Sequence, residues 1–134
     1  MIWLLDTNIV AYALNDVGEV RARLNEAARA GRVLTSVIVV AELMYGVERS
    51  ARQDANRRRI ERQLASLEIA PMTLGAAAHF GRLKADLRAR GIAKSDLDLL
   101  IAASAIDLGA TLVTHDLSLL DRAIPTLAVE DWHG

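Results

Sequence analysis

The chain has 134 residues, which favours one domain over residues 1–134, and it contains no cysteine. Disulfides, thiolate metal sites and cysteine nucleophiles are therefore excluded. The net charge of −1 gives no sign of a nucleic-acid binder, and no apolar run approaches the ~18 residues of a membrane helix or forms a signal peptide, so we expect a cytoplasmic protein.

Short apolar runs alternate with longer helical patterns along the chain, which is typical of an α/β domain with a parallel sheet. The predicted elements, in chain order, are a strand at 2–5, helices at 7–14 and 19–30, a strand at 33–35, a helix capped by Ser36, a helix at 52–67, a strand at 68–70, helices at 73–90 and 97–108, a strand at 111–114 and an edge strand at 127–129. Gly31 is predicted to end the second helix as a typical C-terminal glycine. The expected architecture is a three-layer α/β/α domain around a parallel sheet of four or five strands.

Four carboxylates occupy informative places in this pattern. Asp6 ends the first strand, and Asp116 follows the fourth strand. Glu42 lies near the start of the helix after the second strand, and Asp98 lies in the first turn of the helix before the fourth strand. Ligands of open α/β sheets bind beyond the carboxyl ends of the strands, and right-handed crossovers bring helix starts to the same edge. We therefore expect one pocket to receive all four side chains.

Such a cluster of carboxylates indicates a hard divalent cation. Gathered carboxylates repel one another, and a cation between them removes that cost. Magnesium prefers oxygen ligands, and the chain offers neither cysteine nor a histidine cluster for zinc. The chemistry that follows is phosphodiester hydrolysis by a metal-activated water, with one or two cations.

Each acid also has a purely structural interpretation. Asp6 and Asp116 could each cap a helix, and Ser95 with Asp98 has the spacing of a capping box. Asp96 is predicted to cap that same helix. Taken singly, the structural and functional interpretations are equally favoured, whereas four acids at one edge favour a site.

Four motifs occur in order along the chain. They are LLDTN at 4–8, AELMYGVE at 41–48, DLLIAA at 98–103 and GATLVTHD at 109–116. Together they resemble the VapC-type toxins of the PIN-domain ribonuclease superfamily, and the resemblance extends over nearly the whole chain, including VEDW at 129–132.

The resemblance implies a set of site residues. Asp6, Glu42, Asp98 and Asp116 correspond to the family's acidic quartet. Asp6 and Asp98 would be the principal ligands of Mg²⁺ or Mn²⁺, with Glu42 and Asp116 completing the site. Thr7 and Thr114 would supply hydroxyl groups beside the ligands. Asp116 stands where many family members have Asn.

The resemblance also implies a function and partners. Family members are endoribonucleases of type II toxin–antitoxin pairs, form homodimers, and are neutralised by a small VapB-like antitoxin. The alternative is an inert PIN scaffold that acts only by binding. Two further roles stay open: the arginine-rich segment 49–62 could contact RNA or face solvent or a partner, and His115 could act as an acid or base.

Overall fold

The computed structural model describes all residues from 1 to 134 and contains five strands and seven helices. The strands are β1 (Ile2–Leu5), β2 (Arg32–Ser36), β3 (Glu68–Ala70), β4 (Thr111–Val113) and β5 (Val129–Glu130). The helices are α1 (Thr7–Leu14), α2 (Val20–Ala30), α3 (Val37–Glu48), α4 (Gln53–Ala65), α5 (Leu74–Ala89), α6 (Asp96–Leu108) and α7 (Leu117–Leu120). No helix is both long enough and apolar enough to cross a membrane.

All five strands run parallel in the order β3-β2-β1-β4-β5. β1 is central, and its Leu4 is in register with Leu34 of β2 and Leu112 of β4. The chain moves outward from β1 to β3 and then returns past β1 to β4. Right-handed crossovers therefore place α1–α4 on one face of the sheet and α5 and α6 on the other. The predicted three-layer α/β/α fold with a parallel sheet is confirmed.

The centre of the sheet is buried on both faces. Leu4 and Leu5 are adjacent in β1, so their side chains point to opposite faces, and both are 0% exposed. Leu112 and Val113 of β4 repeat the pattern. A strand covered on both faces has no solvent side, which explains why β1 is apolar at every position rather than alternating.

Most of the longer helices begin with a side-chain cap, although α2 and α4 have none. The Ser36 hydroxyl accepts hydrogen bonds from the backbone N–H groups of Ile38 and Val39, as predicted for an N-cap. The prediction that Asp96 caps α6 is wrong, because Ser95 is the N-cap. Asp96 instead forms an exposed ion pair with Lys84, with Nζ 2.8 Å from Oδ1.

Gly31 ends α2, but its backbone is extended, with φ −172°, and not left-handed. A Cβ at this position would lie 2.3 Å from the carbonyl oxygen of Met1. Glycine is therefore required here because the chain leaving α2 passes directly against the backbone at the start of β1. The sequence predicts that Gly31 is a typical C-terminal glycine of a helix. That left-handed conformation occurs instead at Gly109 after α6, with φ 65°.

Candidate metal centre

The four predicted carboxylates lie at the carboxyl edge of the sheet and at the helix starts beside it. Asp6 follows β1 and caps α1, and Asp116 follows β4 and caps α7. Glu42 lies in the second turn of α3, and Asp98 lies in the first turn of α6. The capping roles of Asp6 and Asp116 are confirmed, and they coexist with membership of the acidic cluster.

Asp6 is the buried centre of this cluster, with 4% of its surface exposed. Its Oδ1 accepts a hydrogen bond of 2.8 Å from the backbone N–H of Thr7, and its Oδ2 accepts one of 2.7 Å from the Thr114 hydroxyl. Burial raises the pKa of Asp6 above its ordinary value, and the charges of Asp98 and Glu42 raise it further against the lowering effect of those two hydrogen bonds. The structure therefore brings three predicted ligands within electrostatic reach of one another.

Two threonine hydroxyls connect Asp6 to the other acids. The Thr7 hydroxyl donates to Oε1 of Glu42 at 3.0 Å, while the backbone N–H of the same residue donates to Asp6. The Thr114 hydroxyl, which donates to Asp6, also accepts from the backbone N–H of Asp116 at 3.0 Å. Both threonines thus link neighbouring carboxylates, in positions that suit the hydroxyl role expected of them.

Ser118 completes the connection and was missed by the sequence reasoning. Its backbone N–H donates to Oδ1 of Asp116 at 2.9 Å, and its hydroxyl donates to Oδ2 of Asp98 at 3.1 Å. The expected capping box is therefore only half formed: the Ser95 hydroxyl accepts from the Asp98 N–H, but the Asp98 carboxylate points to Ser118 instead of returning the bond. The Asp-x-Ser spacing of residues 116–118 is typical of a helix start and does not predict a contact with Asp98.

The donor set fits a hard divalent cation. Oδ1 of Asp98, Oδ2 of Asp116 and Oε2 of Glu42 accept no hydrogen bond within the protein, so each offers a free carboxylate oxygen. Such oxygens are the ligands that magnesium and manganese prefer. No three histidine or carboxylate side chains converge closely enough to enclose an ion as they stand, so the acids form a loose cluster rather than a closed coordination shell.

An apolar groove of about 420 Å³ lies beside the cluster, between α1, α3 and α4. Its apolar lining is Leu14, Leu43, Val47 and Ile60 together with Ala11, and its polar lining includes Thr7, Glu42 and Arg59. Arg59 donates a hydrogen bond of 2.9 Å to Asn15, which ties α4 to the end of α1. One end of the groove is therefore continuous with the acidic cluster.

The remaining candidates lie around this region. Nδ1 of His115 is 2.8 Å from Oδ2 of Asp131, so that ring nitrogen is engaged with the C-terminal segment rather than with the four acids. In the segment 49–62, Arg57 forms ion pairs with Glu48 and Asp54, while Arg58 is exposed. RNA contact by this segment stays a prediction.

Comparison with known proteins agrees with this geometry. The PIN domain family model matches residues 3–124. The chain is 37% identical to ribonuclease VapC2 of Rickettsia felis, with 98% of each chain covered, and 32% identical to the tRNA(fMet)-specific endonuclease VapC of Salmonella typhimurium, with 97% of each covered. Among solved structures it is similar to the VapBC2 complex of Rickettsia felis bound to a promoter DNA fragment, with a TM-score of 0.92, 36% identity and coverage of 98% of this chain and 99% of that one. The chain therefore belongs to the VapC-type branch of the PIN-domain family.

Proposed function

We propose that residues 1–134 form a single PIN domain that acts as a Mg²⁺- or Mn²⁺-dependent endoribonuclease, the toxin of a type II toxin–antitoxin pair. The observation that carries this proposal is the continuous run of hydrogen bonds from Glu42 through Asp6 and Asp116 to Asp98. The relatives named ribonuclease and tRNA(fMet)-specific endonuclease support the reaction class.

Some of these side chains bind the cation, and others hold the ligands in position. Asp6 and Asp98 are the principal ligands: Asp98 offers its free Oδ1, and Asp6 offers remaining lone pairs on oxygens that also accept from Thr7 and Thr114. Glu42 and Asp116 complete the acidic site or orient the attacking water. Thr7 and Thr114 hold Glu42 and Asp6 through their hydroxyls. A bound divalent cation supplies an activated water and offsets the charge that develops on the phosphate.

The test is RNA cleavage by purified variants in the presence of Mg²⁺ or Mn²⁺. We expect Asp6→Asn and Asp98→Asn to abolish cleavage and to keep the fold, and EDTA to stop the wild-type reaction until metal is restored. Asp96→Asn is the matched control, since Asp96 lies in the same helical turn as Asp98 but pairs with Lys84. Cleavage by either ligand variant at the wild-type rate would contradict the metal role, and RNA left intact by every form would favour the inert-scaffold alternative.

The proposed protein partner is a VapB-like antitoxin whose apolar side chains occupy the groove beside the cluster. Its aliphatic lining and its continuity with Glu42 suit a segment that covers the site while it binds. Structures similar to this chain are described as VapBC complexes, which supports this class of partner. The expected result is co-purification of the antitoxin and loss of cleavage in the complex.

A homodimer is the proposed assembly. Leu74, the first residue of α5, is an exposed aliphatic side chain beside the C-terminal end of α6, where the Thr73 hydroxyl donates a hydrogen bond to Asp107. Leu74 is 91% exposed, which is a high exposure for a leucine with no partner. Sedimentation velocity should give a dimer for the wild type and a monomer for Leu74→Lys, whereas a wild-type monomer at micromolar concentration would contradict this assembly.

A further inference from the structure

Ser118 joins two elements that carry proposed ligands. It is the second residue of the four-residue helix α7, while Asp98 lies in the first turn of α6, twenty positions earlier. The Ser118 hydroxyl contacts Oδ2 of Asp98, and its backbone N–H contacts Oδ1 of Asp116. Because each acid is held through one oxygen, the other oxygen of both carboxylates stays free of protein hydrogen bonds.

A buried lysine holds Ser118 from the opposite side. Lys94 precedes α6, and its side chain is only 3% exposed. Its ammonium group donates to the backbone carbonyl of Ser118 and to Oδ2 of Asp121, the latter at 2.8 Å. The hydrogen bond from Lys94 lowers the pKa of Asp121, as expected when a carboxylate accepts from a cation.

Burial of a lysine is costly unless its donors are satisfied, so this arrangement requires α7 to stay in place. The only other lysine, Lys84, is 34% exposed and pairs with Asp96 at the outer side of the same helix start. Lys94 and Ser118 are therefore a linked pair: the ammonium group fixes the α7 turn, and the turn aims the Ser118 hydroxyl at Asp98.

We propose that Ser118 is a positioning residue for the metal centre, held by Lys94, and that together they orient Asp98 and Asp116 for cation binding. The inference rests on the proposed cation site, and it goes beyond it by assigning two residues outside the acidic quartet. Groups that hydrogen-bond to metal ligands typically change metal affinity by about 10–100-fold when they are removed.

The experiment is a titration of the full chain with Mn²⁺, with bound metal measured by electron paramagnetic resonance and the fold checked by circular dichroism. We expect Ser118→Ala to bind Mn²⁺ about 10-fold more weakly than the wild type, since the alanine keeps the N–H to Asp116 but loses the hydroxyl to Asp98. Ser118→Thr keeps a hydroxyl and should restore most of the affinity, which a merely structural role would not predict.

Lys94→Met should weaken Mn²⁺ binding in the same direction, and Lys84→Met is its matched control with unchanged affinity. If Lys94→Met does not fold, Asp121→Ala removes the other partner of the ammonium group and tests the same link. Equal Mn²⁺ affinity of Ser118→Ala and the wild type would overturn this inference alone. Absence of Mn²⁺ binding by the wild type would instead overturn the proposed function.

Discussion

The Thr114 hydroxyl donates a hydrogen bond of 2.7 Å to Oδ2 of Asp6 across 108 positions of sequence, and both residues are buried. The same hydroxyl oxygen accepts from the backbone N–H of Asp116. One fully buried oxygen therefore connects the ends of the adjacent strands β1 and β4 and two of the four acids.

Replacement of Thr114 by valine keeps the shape and removes this connection. A buried donor or acceptor left without its partner costs about 1–3 kcal/mol, so we expect Thr114→Val to lower the free energy of unfolding by that amount. Thr114→Ser keeps the hydroxyl and should lose less. Urea unfolding of the three proteins measures both values, and equal loss in the two variants would show that the methyl group and not the hydroxyl matters.

Replacement of Asp6 by asparagine should separate stability from activity. Burial raises the pKa of Asp6, which means that its ionisation is less favourable in the folded protein than in the unfolded chain, so the charge lowers stability as the pH rises above the unfolded pKa. Asparagine is neutral and is also a preferred N-cap, so its oxygen can accept from the Thr7 N–H while its amide NH2 donates to the Thr114 oxygen and keeps that contact in the reverse direction. We expect the metal-free variant to melt at a higher temperature than the metal-free wild type at pH 7, although it no longer cleaves RNA.

Thermal unfolding in EDTA, followed by circular dichroism, checks this expectation. Addition of Mg²⁺ should raise the melting temperature of the wild type and leave that of Asp6→Asn unchanged, because the proposed function predicts cation binding by the wild type alone. A variant that melts below the wild type in EDTA would contradict the conclusion that the buried charge is a cost.

Replacement of Gly31 and of Gly81 by alanine should change the free energy of unfolding in opposite directions. At Gly31 a Cβ would lie 2.3 Å from a backbone oxygen, so strand and helix must move apart, and we expect Gly31→Ala to cost about 1–3 kcal/mol. Gly81 lies inside α5 with no atom within 4 Å of a Cβ, so Gly81→Ala should stabilise by about 0.5–1 kcal/mol. Denaturant unfolding of both variants measures the two signs, and a neutral Gly31→Ala would contradict the close backbone contact.

Filling the groove should weaken antitoxin binding. Gly46 lines the groove within α3, and a Cβ there meets no atom within 4 Å. Gly46→Leu therefore adds a side chain to the lining of the groove, with a Cβ that meets no neighbouring atom, and should reduce capture of a tagged VapB-like antitoxin. Gly81→Ala, remote from the groove, serves as the control. Full capture by Gly46→Leu would place the antitoxin elsewhere.

Short apolar runs that alternate with longer helical patterns made most of the fold predictable. β3 is where the sequence predicts it, at residues 68–70, because Pro71 closes it and a long helix follows. The edge strand is displaced to Val129–Glu130 from the predicted 127–129, since Leu127 packs in the core while the N–H of Thr114 bonds to the carbonyl of Glu130. At an edge, pairing partners set the strand limits more than hydrophobicity does.

In the candidate site, too, the sequence predicts the residues whose place follows from the strand order, and it does not predict contacts between residues distant in the chain. Asp6, Glu42, Asp98 and Asp116 stand out because topology alone assigns strand ends and helix starts to one edge. The roles of Ser118 and Lys94 cannot be predicted from the sequence, because the residues that they contact are distant along the chain. A serine after a capping aspartate and a lysine before a helix are ordinary residues of exposed turns. The misplaced cap at Asp96 has the same origin, because two adjacent residues have similar capping preference and the ion pair with Lys84 is not visible in sequence.

The central position of β1 has a kinetic consequence. Its partner β4 lies more than a hundred residues later, so that pairing closes nearly the whole polypeptide into one loop. Contacts of such high sequence separation form slowly, after the entropy of closing the loop has been lost. Since Asp6 and Thr114 meet only when β1 and β4 pair, forms of the chain without that pairing lack a complete acidic site, and acquisition of cation binding during refolding should report the pairing of these two strands.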